Sequence, residues 1–130
     1  MFSHVFTGIS DFDRAFAFYG PVMRTLGIPL RFCEPDRPWA GWQSAPAARP
    51  LFVIARPFDG RAPAPGNGTM VAFMARSRAL VDEVYAVALA HGGTPEGAPG
   101  LRPEYHAHYY GAYFRDPDGN KLCVACHEPA

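Results

Sequence analysis

Within eight residues, 102–109, the chain places Arg102, Tyr105, His106, His108 and Tyr109. Imidazoles titrate near neutrality and ligate metals, and a guanidinium forks onto a carboxylate or phosphate. A phenol can donate to a reacting oxygen. The cluster therefore suits substrate binding, with Tyr105 and His106 as candidate acid and base. It suits equally a lid whose polar groups satisfy loop backbone and solvent. His4 is of a type that serves as ligand or general base, or as a hydrogen-bonded strand residue. Cys123-Val-Ala-Cys126 has redox or metal spacing. In an extended strand, however, residues i and i+3 point to opposite faces about 10 Å apart. A disulfide needs Cα atoms within about 7 Å, so the spacing reads as coincidence. Trp39 and Trp42 with Gln43 have the make-up of a stacking site for a planar ligand, or of core or interface aromatics.

Something must hold these residues, and the composition says how much. The 130 residues are 48% apolar and 14% aromatic, enough for one sizeable core without staples. Lys+Arg and Asp+Glu are both 12, and Lys121 is the single lysine. That balance offers no field for nucleic acid or an anionic membrane. No apolar run approaches the roughly 18 residues of a membrane helix. The segment Met1–Ser10 lacks the basic start and apolar core of a signal peptide. Three cysteines (Cys33, Cys123 and Cys126) cannot all pair within one chain, which suits a reducing, cytoplasmic setting.

The element pattern repeats. His4-Val5 and Met70-Val71 each begin a short apolar segment, an offset of 70 − 4 = 66, and at that offset Tyr19, Gly27 and Pro29 match Tyr85, Gly93 and Pro95. In the first half, Phe2–Ile9 predicts a strand. Ser10 or Asp11 then caps a helix carrying Phe12, Ala15, Phe16, Tyr19, Met23 and Leu26 at helical spacing, closed by Gly27. Pro21 should kink that helix. Leu30–Cys33, Trp39–Ser44 and Leu51–Arg56 follow as strands. The second half predicts a strand over Thr69–Ala75 and a Ser77-capped helix ended by Gly92-Gly93. Strands Tyr109–Arg115 and Lys121–His127 follow, joined by the turn Asp116-Pro117-Asp118-Gly119-Asn120. Between them, Thr94–His108 reads as a loop with a short strand near Thr94–Glu96 and a lid from Leu101 to His108. The expected organisation is a single domain: module one over about 1–57, a linker over about 58–68, and module two over about 69–130.

A strand beginning with His, a helix ending Leu-Gly, a second strand–helix and a closing Asp-Pro-Asp-Gly-Asn-x-Leu hairpin resemble the glyoxalase/bleomycin-resistance/dioxygenase (vicinal oxygen chelate) superfamily. Gly-Ala-Pro-Gly-Leu-Arg-Pro (97–103) followed by Tyr-His-x-x-Tyr-Tyr (105–110) resembles its small bacterial glyoxalase-like members. The resemblance implies an α+β fold in which two βαβββ modules form a U-shaped mixed sheet around a cup. It also implies a divalent-metal site with one ligand from the first and one from the last strand of each module. Compared residue by residue, His4 is a retained ligand type. Met70 stands where relatives have His, Cys123 stands where they have Glu, and Leu51–Arg56 contains no ligand type. Strand alternation puts Met70, Ala72 and Met74 on one face, and Cys123 with Ala125 on one face of the last strand. Such a surface is too soft for hard cations, though Met, Cys and His together are chemically compatible with Cu(I).

Three functions follow as expectations. One is a small-molecule binder needing no cofactor, its ligand met by His4, Met70, Arg102, Tyr105, His106, His108, Tyr109 and Cys123. The second is a metal-dependent lyase, isomerase or dioxygenase that recruits His106 or His108. The third is a metal-independent enzyme using His4 or the lid histidines with Tyr105. By the same resemblance a homodimer is expected.

Overall fold

The computed structural model describes residues 1–130. In chain order the elements are β1 (His4–Gly8), α1 (Phe12–Leu26), β2 (Leu30–Glu34), β3 (Trp39–Gln43) and β4 (Leu51–Ala55). The second half adds β5 (Val71–Met74), α2 (Arg78–Ala90), β6 (Thr94–Leu101), β7 (Tyr110–Arg115) and β8 (Lys121–Cys126). Each half closes its own four-stranded mixed sheet, in the orders β1-β4-β3-β2 and β5-β8-β7-β6. The first strand of each half runs parallel to the last, and the other pairs are antiparallel. The repeated βαβββ order of the sequence is thus also a repeated topology.

Local chemistry accounts for the helix ends. Asp11 accepts the Arg14 N–H at 3.0 Å, so it, not Ser10, caps α1. Gly27 takes φ 75°, which lets its own N–H reach Arg24 O and the Ile28 N–H reach Met23 O. Ser77 caps α2 through the Leu80 N–H at 3.1 Å.

One strand departs from the expectation. β6 is eight residues long and runs from Thr94 to Leu101, where the sequence predicts only a short strand near Thr94–Glu96. Its Pro and Gly residues mimic a loop in sequence. They are tolerated because β6 is an edge strand, with irregularities at Pro95/Gly97 and Gly97/Gly100. The lid shrinks accordingly to a loop over residues 102–109, closed by the Arg102 N–H to Tyr109 O bond at 2.9 Å.

One face of each sheet packs against the helices. Trp42, Phe52 and Ile54 from the first sheet join Phe73, Phe114, Leu122 and Val124 from the second in a single 22-residue core with both helices. Phe52 meets Phe73 with ring centroids 5.2 Å apart, and Phe18 meets Phe114 at 6.2 Å. Burying each such side chain is worth about 1.5–3 kcal/mol.

The turn after β7 ties the halves together. The Asp116 carboxylate, 1% exposed, accepts from the Tyr19 hydroxyl at 2.6 Å, from the Asp118 and Asn120 N–H groups at 2.9 Å each, and from Asn120 Nδ2 at 2.8 Å. Asp118 accepts from Ser10 and pairs with Arg14 at 3.2 Å, and Asn120 donates to the Gly8 carbonyl at 2.9 Å. The helices leave the other face of each sheet open, and there the candidate residues lie.

Candidate functional site

The pleat and register define the open face of the second sheet. One cross-strand row reads Ala72, Cys123, Tyr113 and Gly97, and the next reads Met74, Ala125, Gly111 and Gly100. Small residues make this floor low enough for aromatic rings to lie on it. A Cβ at Gly111 would come within 2.8 Å of the Tyr109 ring, and one at Gly97 within 3.1 Å of the Tyr113 ring.

Tyr109 folds back from the lid over this floor. Its hydroxyl lies 3.0 Å from the Tyr113 hydroxyl and 3.5 Å from Cys123 Sγ. Tyr105 packs on the Tyr109 ring at 4.9 Å, and His106 and His127 approach it edge-on at 5.7 and 5.3 Å. Under this cover Cys123 is fully buried, at 0% exposure. Burial pushes its thiol above the ordinary range, against the pull of the Tyr109 and Tyr113 hydrogen bonds and the charges of Arg102 and Lys121. Burial likewise raises Tyr109, reinforced by its bonds to Cys123 and Tyr113, and raises Tyr113. All three stay protonated at neutral pH, so the group supplies hydroxyl donors and no base.

Cations border the aromatic group. Arg102 stands with Cζ 5.4 Å from the Tyr113 ring centroid, and the Lys121 ammonium stands at 5.6 Å. Beside them Arg115 is bound through Nε and a terminal nitrogen to Glu96 Oε1, at 3.1 and 2.9 Å.

The lid histidines find a partner the sequence did not suggest. His106 Nε2 lies 2.9 Å from His127 Nδ1, with the rings stacked at 5.1 Å. The His108 N–H donates to His106 Nδ1 at 3.1 Å, so in neutral His106 the proton sits on Nε2 and is donated to His127. The His108 side chain itself is exposed.

The other expected residues lie elsewhere. His4 is exposed on β1 of the first sheet, its Nδ1 3.0 Å from Ser3 Oγ. Met70 and Met74 line a mainly apolar cleft of about 540 Å³ with Val5, Leu51 and Phe52, between the free edges of β1 and β5. Cys123 does not line that cleft, because Tyr109 covers it. No three His, Cys, Asp or Glu side chains converge as a metal-holding group. The residues at the family's ligand positions are thus an exposed histidine on one sheet, a thioether, and a protonated thiol already bonded to a phenol on the other. They do not fit a divalent-metal centre.

Two further expectations are settled by position. Cys123 faces the open side and Cys126 the core, and both are free thiols, as alternation along β8 requires. Trp42 is 2% exposed in the core and stacks on Phe16 at 5.8 Å, so it is not available to a planar ligand. Trp39 packs on Phe32 and donates to Glu34, while Gln43 holds the Ala45 and Pro46 carbonyls. The sequence reading missed Tyr113, Lys121 and His127. For all three a signal existed, since counting alternate residues from Cys123 along the predicted strand Lys121–His127 and across the hairpin puts them on its face.

Comparison with known proteins agrees with this architecture. Residues 2–124 match the model of the Glyoxalase/Bleomycin resistance protein/Dioxygenase superfamily. A glyoxalase/bleomycin resistance protein from Albidiferax ferrireducens T118 is similar at 36% identity and TM-score 0.86, over 96% of this chain and 98% of that one. A glyoxalase-related enzyme from Fulvimarina pelagi shares the fold at 20% identity and TM-score 0.74, over 97% of this chain and 87% of the other. So does a family enzyme from Burkholderia phytofirmans PsJN, at 21% identity and TM-score 0.72, over 97% and 98%. Comparison with curated proteins gives no match. With the family model spanning nearly the whole chain and a relative above one-third identity over nearly its full length, the protein belongs to the glyoxalase/bleomycin resistance/dioxygenase superfamily.

Proposed function

We propose that this member binds a small, partly aromatic molecule against the open face of its second sheet, without a divalent metal. The observation that carries the reading is the state of Cys123. At the position where the family resemblance expects a carboxylate ligand, a buried thiol is capped by the Tyr109 hydroxyl at 3.5 Å. Tyr105, Tyr109 and Tyr113 there offer ring faces and hydroxyls in place of metal coordination. Three free thiols support a reducing, cytoplasmic setting, and no helix is long and apolar enough to cross a membrane. The working unit in this reading is a homodimer, supported by the exposed Phe2, Phe6, Met70 and Met74 around the free edges of β1 and β5.

The test is elemental analysis of protein purified without chelators, with native mass spectrometry for a co-purified small molecule. The expected result is no stoichiometric divalent metal and chemical-shift changes on binding centred on Tyr105, Tyr109 and Tyr113. Stoichiometric metal that disappears in His4→Ala overturns the reading. A metal-dependent enzyme with a rearranged ligand set is favoured by one observation, the two facing imidazole nitrogens of His106 and His127 at 2.9 Å. Metal lost in His106→Ala and His127→Ala, but kept in His4→Ala, would establish that alternative.

A further inference from the structure

Two cations against the open face of the second sheet form no salt bridge. The chain forms three salt bridges, Arg14–Asp118, Arg37–Glu34 and Arg115–Glu96, and neither Arg102 nor Lys121 takes part in any of them. Both nevertheless stand against the same ring, Tyr113, at 5.4 and 5.6 Å from its centroid. On this face Arg102, Arg115 and Lys121 meet only Glu96, an excess of 3 − 1 = 2 positive charges, on a chain whose formal net charge is zero.

Arg102 is seated, not loose. One terminal nitrogen donates to Ala98 O at 2.8 Å and the other to Leu101 O at 3.4 Å. The seat depends on glycine, since a Cβ at Gly97 would meet the guanidinium at 3.4 Å and one at Gly100 at 3.1 Å. Two backbone acceptors leave part of the five-donor fork unused. Such a held guanidinium loses little further freedom when an oxyanion docks, which is the condition for tight two-point recognition. Lys121 also borders a recess of about 280 Å³, whose walls include Tyr105, Tyr113, Arg115 and Met70. Ring faces and a thioether there suit a flat or apolar body.

We infer that Arg102 and Lys121, both standing against the Tyr113 ring, form an anion subsite. Its ligand is a small organic molecule with a carboxylate or phosphate group and a planar or apolar body that rests on Tyr105 and Met70. This deepens the proposed small-molecule reading and rests on it. An organic anion also accounts for two cations that form no salt bridge on a face whose single carboxylate, Glu96, is bound to Arg115.

The test compares benzoate and phenyl phosphate with neutral benzamide, which has the same ring without the charge. Binding is followed by backbone and tyrosine side-chain chemical shifts and by calorimetry at low salt. Both anions should bind and benzamide should bind at least about tenfold more weakly, with affinity falling as salt rises. Arg102→Gln and Lys121→Gln should each weaken the anions by about tenfold and leave benzamide unchanged. Arg24→Gln, which removes the same charge from the exposed last turn of α1, should have no effect. The ratio of benzoate to phenyl phosphate affinity assigns the anion type. Equal binding of benzamide and benzoate, or anion binding indifferent to both substitutions, overturns the anion subsite and leaves the small-molecule reading standing. If none of the three probes perturbs Tyr105, Tyr109 or Tyr113 at tens of millimolar, the anion subsite is overturned. If neutral planar compounds at large also fail there, the small-molecule reading falls with it.

Discussion

At Cys123 two ordinary side chains meet with an unusual consequence. A thiol on the open face of a sheet would normally be accessible, but the Tyr109 ring lies across Gly111 and its hydroxyl reaches Sγ at 3.5 Å. Titration of the native protein with a thiol reagent should therefore find one readily modified cysteine, the partly exposed Cys33. Tyr109→Ala should add a second, identified as Cys123 by peptide mass. Equal modification of Cys123 in wild type and variant would mean that the phenol does not cover it. The imidazole pair is the second contact at this scale. His127→Ala removes the acceptor of the His106 Nε2 proton and should raise amide exchange across residues 102–109, with little change in the strands.

The element that joins the modules is a turn. Residues 116–120 were readable as turn chemistry from Asp-Pro-Asp-Gly-Asn alone, and Gly119 takes φ 92° there. Nothing in that pattern announces that Asp116 reaches Tyr19, 97 residues away, at 2.6 Å. Tyr19→Phe should cost about 1.5–3 kcal/mol, the usual worth of a hydrogen bond to a charged group, read as a lower urea midpoint with unchanged slope. The pH dependence follows from the same bond. Burial, then the charge and hydrogen bond of Asp116, raise the Tyr19 phenol well above its ordinary value. The folded state therefore holds this proton more tightly than the unfolded chain. Its contribution is complete below about pH 10, where a free tyrosine titrates, and is lost as pH rises toward the folded value. Wild type should lose stability more steeply than Tyr19→Phe on the alkaline side, and identical alkaline slopes would count against the bond. β6 carries the opposite lesson, because Pro95, Gly97 and Gly100 made a true strand look like loop. Edge position and irregular pairing, which excuse those residues, belong to the sheet and not to the segment.

For the molecule as a whole, the open surfaces matter most. Phe6 is 51% and Met74 77% exposed, on edge strands whose outer edges carry no pairing partner. Large exposed apolar groups beside unpaired edges mark association surfaces in soluble proteins. Light scattering after gel filtration should give a mass near twice the 14.2 kDa chain, and Met74→Glu should shift it toward monomer without unfolding. A monomeric wild type at tens of micromolar would remove the homodimer from the proposal. What the sequence alone determined was whatever short-range periodicity encodes. Strand alternation placed Met70 with Met74 and Cys123 opposite Cys126; helical spacing and caps placed α1 and α2; the 66-residue offset predicted two like modules. Tertiary structure alone decided which loop side chains meet. His4 and Cys123, aligned by family position, lie on separate sheets, whereas His106 and His127 lie ring on ring. The fold of Tyr109 onto Gly111, and the seating of Arg102 over Gly97 and Gly100, depend on how a loop crosses a sheet. A loop has no repeat to read: its side chains go where the packed strands leave room and where distant donors and acceptors remain to be satisfied.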